Sequence, residues 1–293
     1  MDYGGKGPGL GYPAEGLSPM GRPFNGHLWD RAAESKVTYR SYGEFCGVEG
    51  TNEENLKGHF NSDYHSFELK YSDLDRTQVL LKEFHEFEKS GNLPQLMIIR
   101  LPNDHTSGSS KGAWTPRAMV GQNDLALGQI IDAFSHSKFW KQMAIFIVED
   151  DAQNGSDHVD AHRSLGMLIS PYVKRSYVDH TMYSTASFLR TMELILGIQP
   201  MTQFDGGARP CYNSFINQPD FTPYNCQPPK WNITERNSDN AYGQARMDEF
   251  NLTKEDSAPD IEFNEIIWKS IKGADSEMPA PVRAGFILSS DID

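Results

Sequence analysis

The chain has 293 residues and a mass of 33.0 kDa, enough for one large domain or two small ones with a buried core. Its 27 basic and 40 acidic residues leave a net charge of -13, which disfavours general binding to nucleic-acid backbones but allows a local anionic substrate where metal ions supply positive charge. A mean hydropathy of -0.57 with only short apolar runs excludes a membrane-spanning helix, and 16 Phe, 12 Tyr and 5 Trp exclude disorder throughout.

Met1–Asn25 holds seven Gly and four Pro, the composition of a loop or linker, and has no basic cluster followed by an apolar core, so no signal peptide is read there. The rest, residues 26–293, reads as one domain. Val37–Tyr42 is rich in aromatic and β-branched residues and predicts a strand. Residues 52–72 read as loop. Asp73 is the expected N-cap of a helix running to about Lys89, with Val79, Leu80, Phe84 and Phe87 on one face and Gly91-Asn92 as the stop. Leu96–Leu101 is nearly all apolar and ends at Pro102, which suits a strand buried on both faces, as in a parallel sheet.

Thr115-Pro116 opens a helix to Ser135. Ala144–Val148 and Leu165–Ile169 predict two more buried strands, the second stopped by Ser170-Pro171. Ser184–Leu196 predicts a helix with Phe188, Leu189, Met192 and Ile195 facing inward and Gly197 as the stop. Residues 200–245, rich in Pro, Asn, Gln and Gly, read as long loops before a last amphipathic helix, Ile261–Ile271. Short apolar strands alternating with helices predict an α/β fold with a mainly parallel sheet. Cys46, Cys211 and Cys226 are too few for a disulfide scaffold; Cys211 and Cys226 either pair or stay free.

Polar residues of metal-ligand type follow two of these strands. Leu96–Leu101 leads into Pro102-Asn103-Asp104-His105-Thr106, and Ala144–Val148 leads into Glu149-Asp150-Asp151, then Asn154, Asp157, His158, Asp160 and His162. In open α/β sheets, ligands bind just beyond the carboxyl ends of strands. Carboxylates crowded there repel one another, so some take up protons or are neutralised by cations. Asp with His suits zinc, manganese or iron, and carboxylate alone suits magnesium or calcium. A solvated acidic loop is the competing reading. HExxH, P-loop and GxGxxG signatures are absent, and Ser107–Gly112 reads as a flexible turn with a loose likeness to a phosphate loop. His180 is a candidate for the surroundings of the site, because it precedes the Ser184 helix. Asn232 and Asn251 fall in glycosylation-type triplets.

Leu101–Thr106, Thr115–Val120, Asn123–Gly128, Phe146–Gly155, Asp157–Arg163 and Ser184–Glu193 together resemble the phosphoesterase family of the alkaline phosphatase superfamily, which includes phosphatidylcholine-type phospholipases C and certain acid phosphatases. The nearest likeness is to bacterial members. The resemblance implies an alkaline-phosphatase-like α/β/α sandwich and a hydrolase of phosphate esters that uses divalent metal ions: zinc, manganese, magnesium or calcium. By motif it implies Asp104, His105, Asp150, Asp151, His158 and His162 as metal ligands and Arg163 as a residue that orients substrate or a carboxylate.

Family members begin with a strand ending in a Glu-Asn motif, followed by a Ser or Thr nucleophile. This chain matches neither, so the expectation is the C-terminal half of a catalytic domain, lacking the usual N-terminal strands, with the nucleophile not found in it. Thr106 and Ser107 are weak substitutes. The resembled family is mostly exported. The alternative is a non-catalytic metal-binding or structural remnant of such a domain.

Overall fold

The computed structural model describes residues 23–150, 163–253 and 257–280. The first helix, α1 (Leu28–Glu34), precedes strand β1 (Tyr39–Tyr42), and helix α2 (Asp73–Ser90) crosses over to strand β2 (Leu96–Ile99). The two strands pair in parallel with Tyr39 opposite Leu96 and Tyr42 opposite Ile99, the arrangement that a crossover helix permits.

The start of α2 differs from the sequence reading by one residue. Ser72 is the N-cap: its Oγ accepts from Asp75 N at 3.1 Å, and Asp75 Oδ2 accepts from Ser72 N at 3.4 Å in return. Asp73 is thereby turned inward and is wholly buried. Gly91, with φ 82°, closes the helix in the left-handed conformation that glycine adopts without a Cβ penalty.

β2 shows why its sequence is apolar throughout. Leu96 and Ile98 join Trp29, Ala32, Tyr39, Leu56 and Ile198 in one core cluster, which Leu189, Met192 and Leu196 also contact. Met97 and Ile99 point the other way, towards Leu80, Phe84, Ile130 and Phe134. Helices therefore cover both faces of the β1–β2 pair. On one face, α2 meets α3 (Pro116–His136), with the Phe84 and Phe134 rings 4.4 Å apart between centroids. Burying side chains such as Leu80 and Phe84 contributes about 1.5–3 kcal/mol each. Thr115 caps α3, its Oγ1 accepting from Ala118 N at 3.2 Å, and Pro116 fills the first helical position, where no N–H is needed.

Strands β3 (Ile145–Val148) and β4 (Gly166–Ile169) pair antiparallel, with Ile145 opposite Ile169 and Val148 opposite Gly166. This corrects the expectation of a mainly parallel sheet: one described pair is parallel and the other is not. An apolar run of four or five residues carries no record of its direction. Here β4 ends beside the start of β3, where Ser170 Oγ donates to Met143 O at 2.8 Å. Nor is β3 fully buried, since Val148 is 47% exposed.

Helix α4 (Thr185–Leu196) ends at Gly197 as predicted, with φ 70°. Its innermost residues are Ser187, Thr191 and Glu193, whereas Ile195, expected inside, is 54% exposed. Residues 200–245 are mostly loop, interrupted by short helices α5 (Gln203–Gly207) and, at the end, α6 (Gln244–Met247). Helix α7 (Asp260–Lys272) closes the described fold through Phe263 and Ile266, which bury Met247. The three cysteines are free: Cys211 sits against Ser187 O, and Cys226 against Leu125 O, so the possible pair is not formed. Among the described residues no helix is long and apolar enough to cross a membrane.

Candidate active site

The chain leaves β2 and turns at once. Pro102 starts a single 3-10 turn, Pro102–His105, and Thr106, at φ 63°, ends it. A buried polar network clamps this turn. Asp73 Oδ2 accepts from Asn103 N and from Asn123 Nδ2, both at 3.0 Å, and Asn123 Nδ2 also donates to Leu101 O at 2.9 Å. Arg76 Nη1 donates to Asn103 Oδ1 at 2.8 Å and to Asp73 Oδ1 at 3.0 Å. Nε donates to His65 O, Nη2 to the carbonyls of Ser66 and Glu68, and Nη1 is shared further with Tyr71 O, all at 2.7–2.9 Å. Burial pushes the Asp73 carboxyl up to about 6, against the opposing pull of Arg76, Asn103 and Asn123.

The clamp holds Asp104 at the carboxyl end of β2. Its carboxyl group faces that of Glu149, the first residue after β3, and feels the charge of Asp150 beside it. Burial raises the Asp104 carboxyl above its ordinary value; the Glu149 contact works against that, and Asp150 adds to it. Carboxyl groups of this kind share a proton or a cation. The strand ends thus bring Asp104, Glu149 and Asp150 together across 45 residues of sequence, and Glu149, named only as part of an acidic run, is the one that touches Asp104.

His105 is partly buried, edge-on to Phe67 at 5.2 Å and tilted against Phe263 at 5.6 Å between ring centroids. Its Nδ1 lies 3.1 Å from Thr106 O; a neutral ring that donates there keeps Nε2 as its acceptor nitrogen, the form in which imidazole ligates metals. Arg163 is exposed and leads into β4. The ladder continues past Val148, with Glu149 N donating to Leu165 O at 3.1 Å and Ser164 Oγ to Glu149 O at 2.7 Å, so Arg163 enters beside the acidic end of β3. Asp151, His158 and His162, like Asn154, Asp157 and Asp160, lie outside the described residues.

Carboxylate oxygens of the Asp104 cluster are hard donors of the kind magnesium, calcium and manganese accept. Among the described residues, however, no group of three or more His, Cys, Asp or Glu is arranged to hold a metal ion. The described donors by themselves therefore do not complete a metal site.

The Ser107–Gly112 segment is better anchored than a flexible turn. Gly108 and Ser109 are buried, and Asn237 Nδ2 donates to the carbonyls of Gly108 and Ser110, both at 3.0 Å. Thr106 Oγ1 accepts from Gly108 N at 3.1 Å, which spends that hydroxyl on loop structure. His180 is exposed, while its neighbour Asp179 does the local work, accepting from Ser214 Oγ at 2.9 Å and Tyr183 Oη at 3.1 Å. The supports that sequence reading missed are Arg76 and the buried role of Asp73. Their only sequence signal is the spacing Asp73, Arg76, Thr77, Leu80 and Phe84, which continues one helix face with polar residues.

A family model described as "Phosphoesterase family" matches residues 24–199. The match includes β1 to α4 and every residue of the acidic cluster. Comparison with curated proteins found no match.

Proposed function

Because the chain belongs to the phosphoesterase family, we propose that its chemistry is metal-dependent hydrolysis of phosphate esters, centred on the acidic cluster past β2 and β3. The observation that supports this reading is the contact of Asp104 with Glu149 and its proximity to Asp150, which joins the ends of two strands at one point. Asp104, His105, Asp150, Asp151, His158 and His162 would hold the divalent ions: zinc, manganese, magnesium or calcium. Such ions, when bound, polarise a phosphoryl group and neutralise its developing charge. Glu149 would keep Asp104 oriented, and Arg163 would steer a substrate oxygen. The Asp73–Arg76–Asn123 clamp would fix the turn that carries Asp104, since positioning errors near 1 Å are costly in such sites.

The finer placement follows the same resemblance: an alkaline-phosphatase-like α/β/α sandwich of the phospholipase C or acid phosphatase type, with the nucleophile supplied by residues other than those described. The test is calorimetric titration of the protein with manganese and zinc, alongside turnover of p-nitrophenyl phosphate. Asp104→Asn should weaken metal uptake and any turnover together while the far-UV spectrum stays unchanged. Metal uptake that ignores Asp104→Asn, or no uptake at all, removes the proposed site.

A further inference from the structure

His105 is held from a part of the chain that the family match does not reach. The match ends at residue 199, whereas the segment from Ile233 to Phe263 is bonded along the loop that follows His105. Thr115 N donates to Glu235 O at 3.0 Å and Asn237 N to Ala113 O at 2.9 Å. Gln122 Nε2 donates to Ile233 O at 2.7 Å, and Asn237 Nδ2 reaches the carbonyls of Gly108 and Ser110. Phe263, on α7, completes this strap. It is 3% exposed, and a Cβ on Gly108 would meet its Cε2 at 2.8 Å and Met247 Cε at 3.0 Å. Any larger residue at 108 would push Phe263 off the loop, and glycine also accepts the φ of 51° found there.

The Phe263 ring meets the His105 imidazole at a tilt of 34°, and Phe67 meets the same imidazole edge-on at 88°. Arg100 Cζ lies 5.5 Å from the Phe67 ring centre and backs that side. We propose that Phe263 is a positioning residue for His105. With Phe67 it locks the imidazole where Nδ1 donates to Thr106 O, so the proton stays on Nδ1 and Nε2 stays the acceptor nitrogen. Three features support this role. The hydrogen bond a ring nitrogen makes decides where the imidazole proton sits, and the Nδ1 bond to Thr106 O at 3.1 Å persists only while the ring is held. An aromatic pair of this kind favours one ring orientation by up to about tenfold beyond simple burial. Thr106 has φ 63°, which a β-branched residue keeps only where its surroundings impose it, and the strap supplies those surroundings. The inference rests on the reading of His105 as a site residue and adds to it a side chain from beyond the family match.

The test is proton–nitrogen NMR of the full chain labelled at its histidine nitrogens, at a pH where the imidazoles are neutral, with His105→Gln assigning the signals. His105 should show a single tautomer protonated on Nδ1, unlike the exposed His180. Phe263→Leu keeps an apolar side chain against Gly108 but removes the ring. It should move the His105 signals about halfway to those of His180, as a tenfold loss of preference implies. Ile266→Val, on the same helix but packed against Gly243, should leave them in place. Where the amide spectrum shows that Phe263→Leu has unfolded, Phe263→Met takes its place. Unmoved His105 signals without the Phe263 ring overturn the proposal. So does an equal movement in Ile266→Val, which would mark general loosening, or a His105 that is already averaged in the unaltered chain. Neither metal nor ester enters the measurement, so a chain that takes up no metal loses the proposed site while these signals still report the ring contact.

Discussion

Replacing Arg76 by Met tests whether the polar clamp holds the Asp104 turn. Arg76 and Asp73 are 1% and 0% exposed. The substitution keeps most of the apolar stem and removes the guanidinium contacts to Asp73, Asn103 and four main-chain carbonyls. Hydrogen bonds to a charged group are worth about 1.5–3 kcal/mol each, but they do not add. The Asp73 carboxyl already lies near 6 and takes up a proton once its partner is gone, which limits the damage. Removing one member of a buried pair costs about 3–5 kcal/mol, and that range is the expectation here.

Urea unfolding followed by tryptophan fluorescence measures the loss, with an unchanged slope required for the comparison. Adding Asp73→Asn to Arg76→Met should cost less than the sum of the separate losses, a coupling of at least about 1 kcal/mol. Hydrogen exchange should speed up in Leu101–Thr106 before it does in α2. A loss under about 1 kcal/mol, or strict additivity, refutes the clamp.

Three further outcomes are expected. Burial and the adjoining Asp205 push the Glu193 carboxyl up to about 7, so the folded state holds its proton more tightly than the unfolded chain does. That contribution is complete below 4.5 and is lost as pH rises through about 7; Glu193→Gln should flatten the fall, worth up to about 3 kcal/mol, in unfolding measured across that window. Gly43 has φ 88°, and an added Cβ would meet Tyr64 Cε1 at 2.9 Å; Gly43→Ala should cost about 1–3 kcal/mol, and a neutral thermal melt would contradict that. Asn237→Ala strips donors from the carbonyls of buried Gly108 and half-buried Ser110 and should cost about 1–3 kcal/mol; limited proteolysis between Ser107 and Gly112 should then quicken, and an unchanged cleavage rate argues against anchoring.

The helices and strands were legible because their signals are local. Thr115-Pro116, Gly91 and Gly197 mark ends through backbone rules that operate within a turn, and apolar spacing marks α2 and α3 through their own geometry. The placement of Asp104 and Glu149 just past two strands was legible for a related reason, since it follows from chain direction alone. What needed the tertiary structure was every choice of partner. Whether β4 ran with or against β3 lay outside its four residues, because apolar side chains serve either pairing. Asp73 reads as an ordinary cap until Ser72 takes that role and a distant Asn103, Asn123 and nearby Arg76 make its burial tolerable. A buried polar group is stable only with its donors in place, and those donors come from segments that meet only after folding.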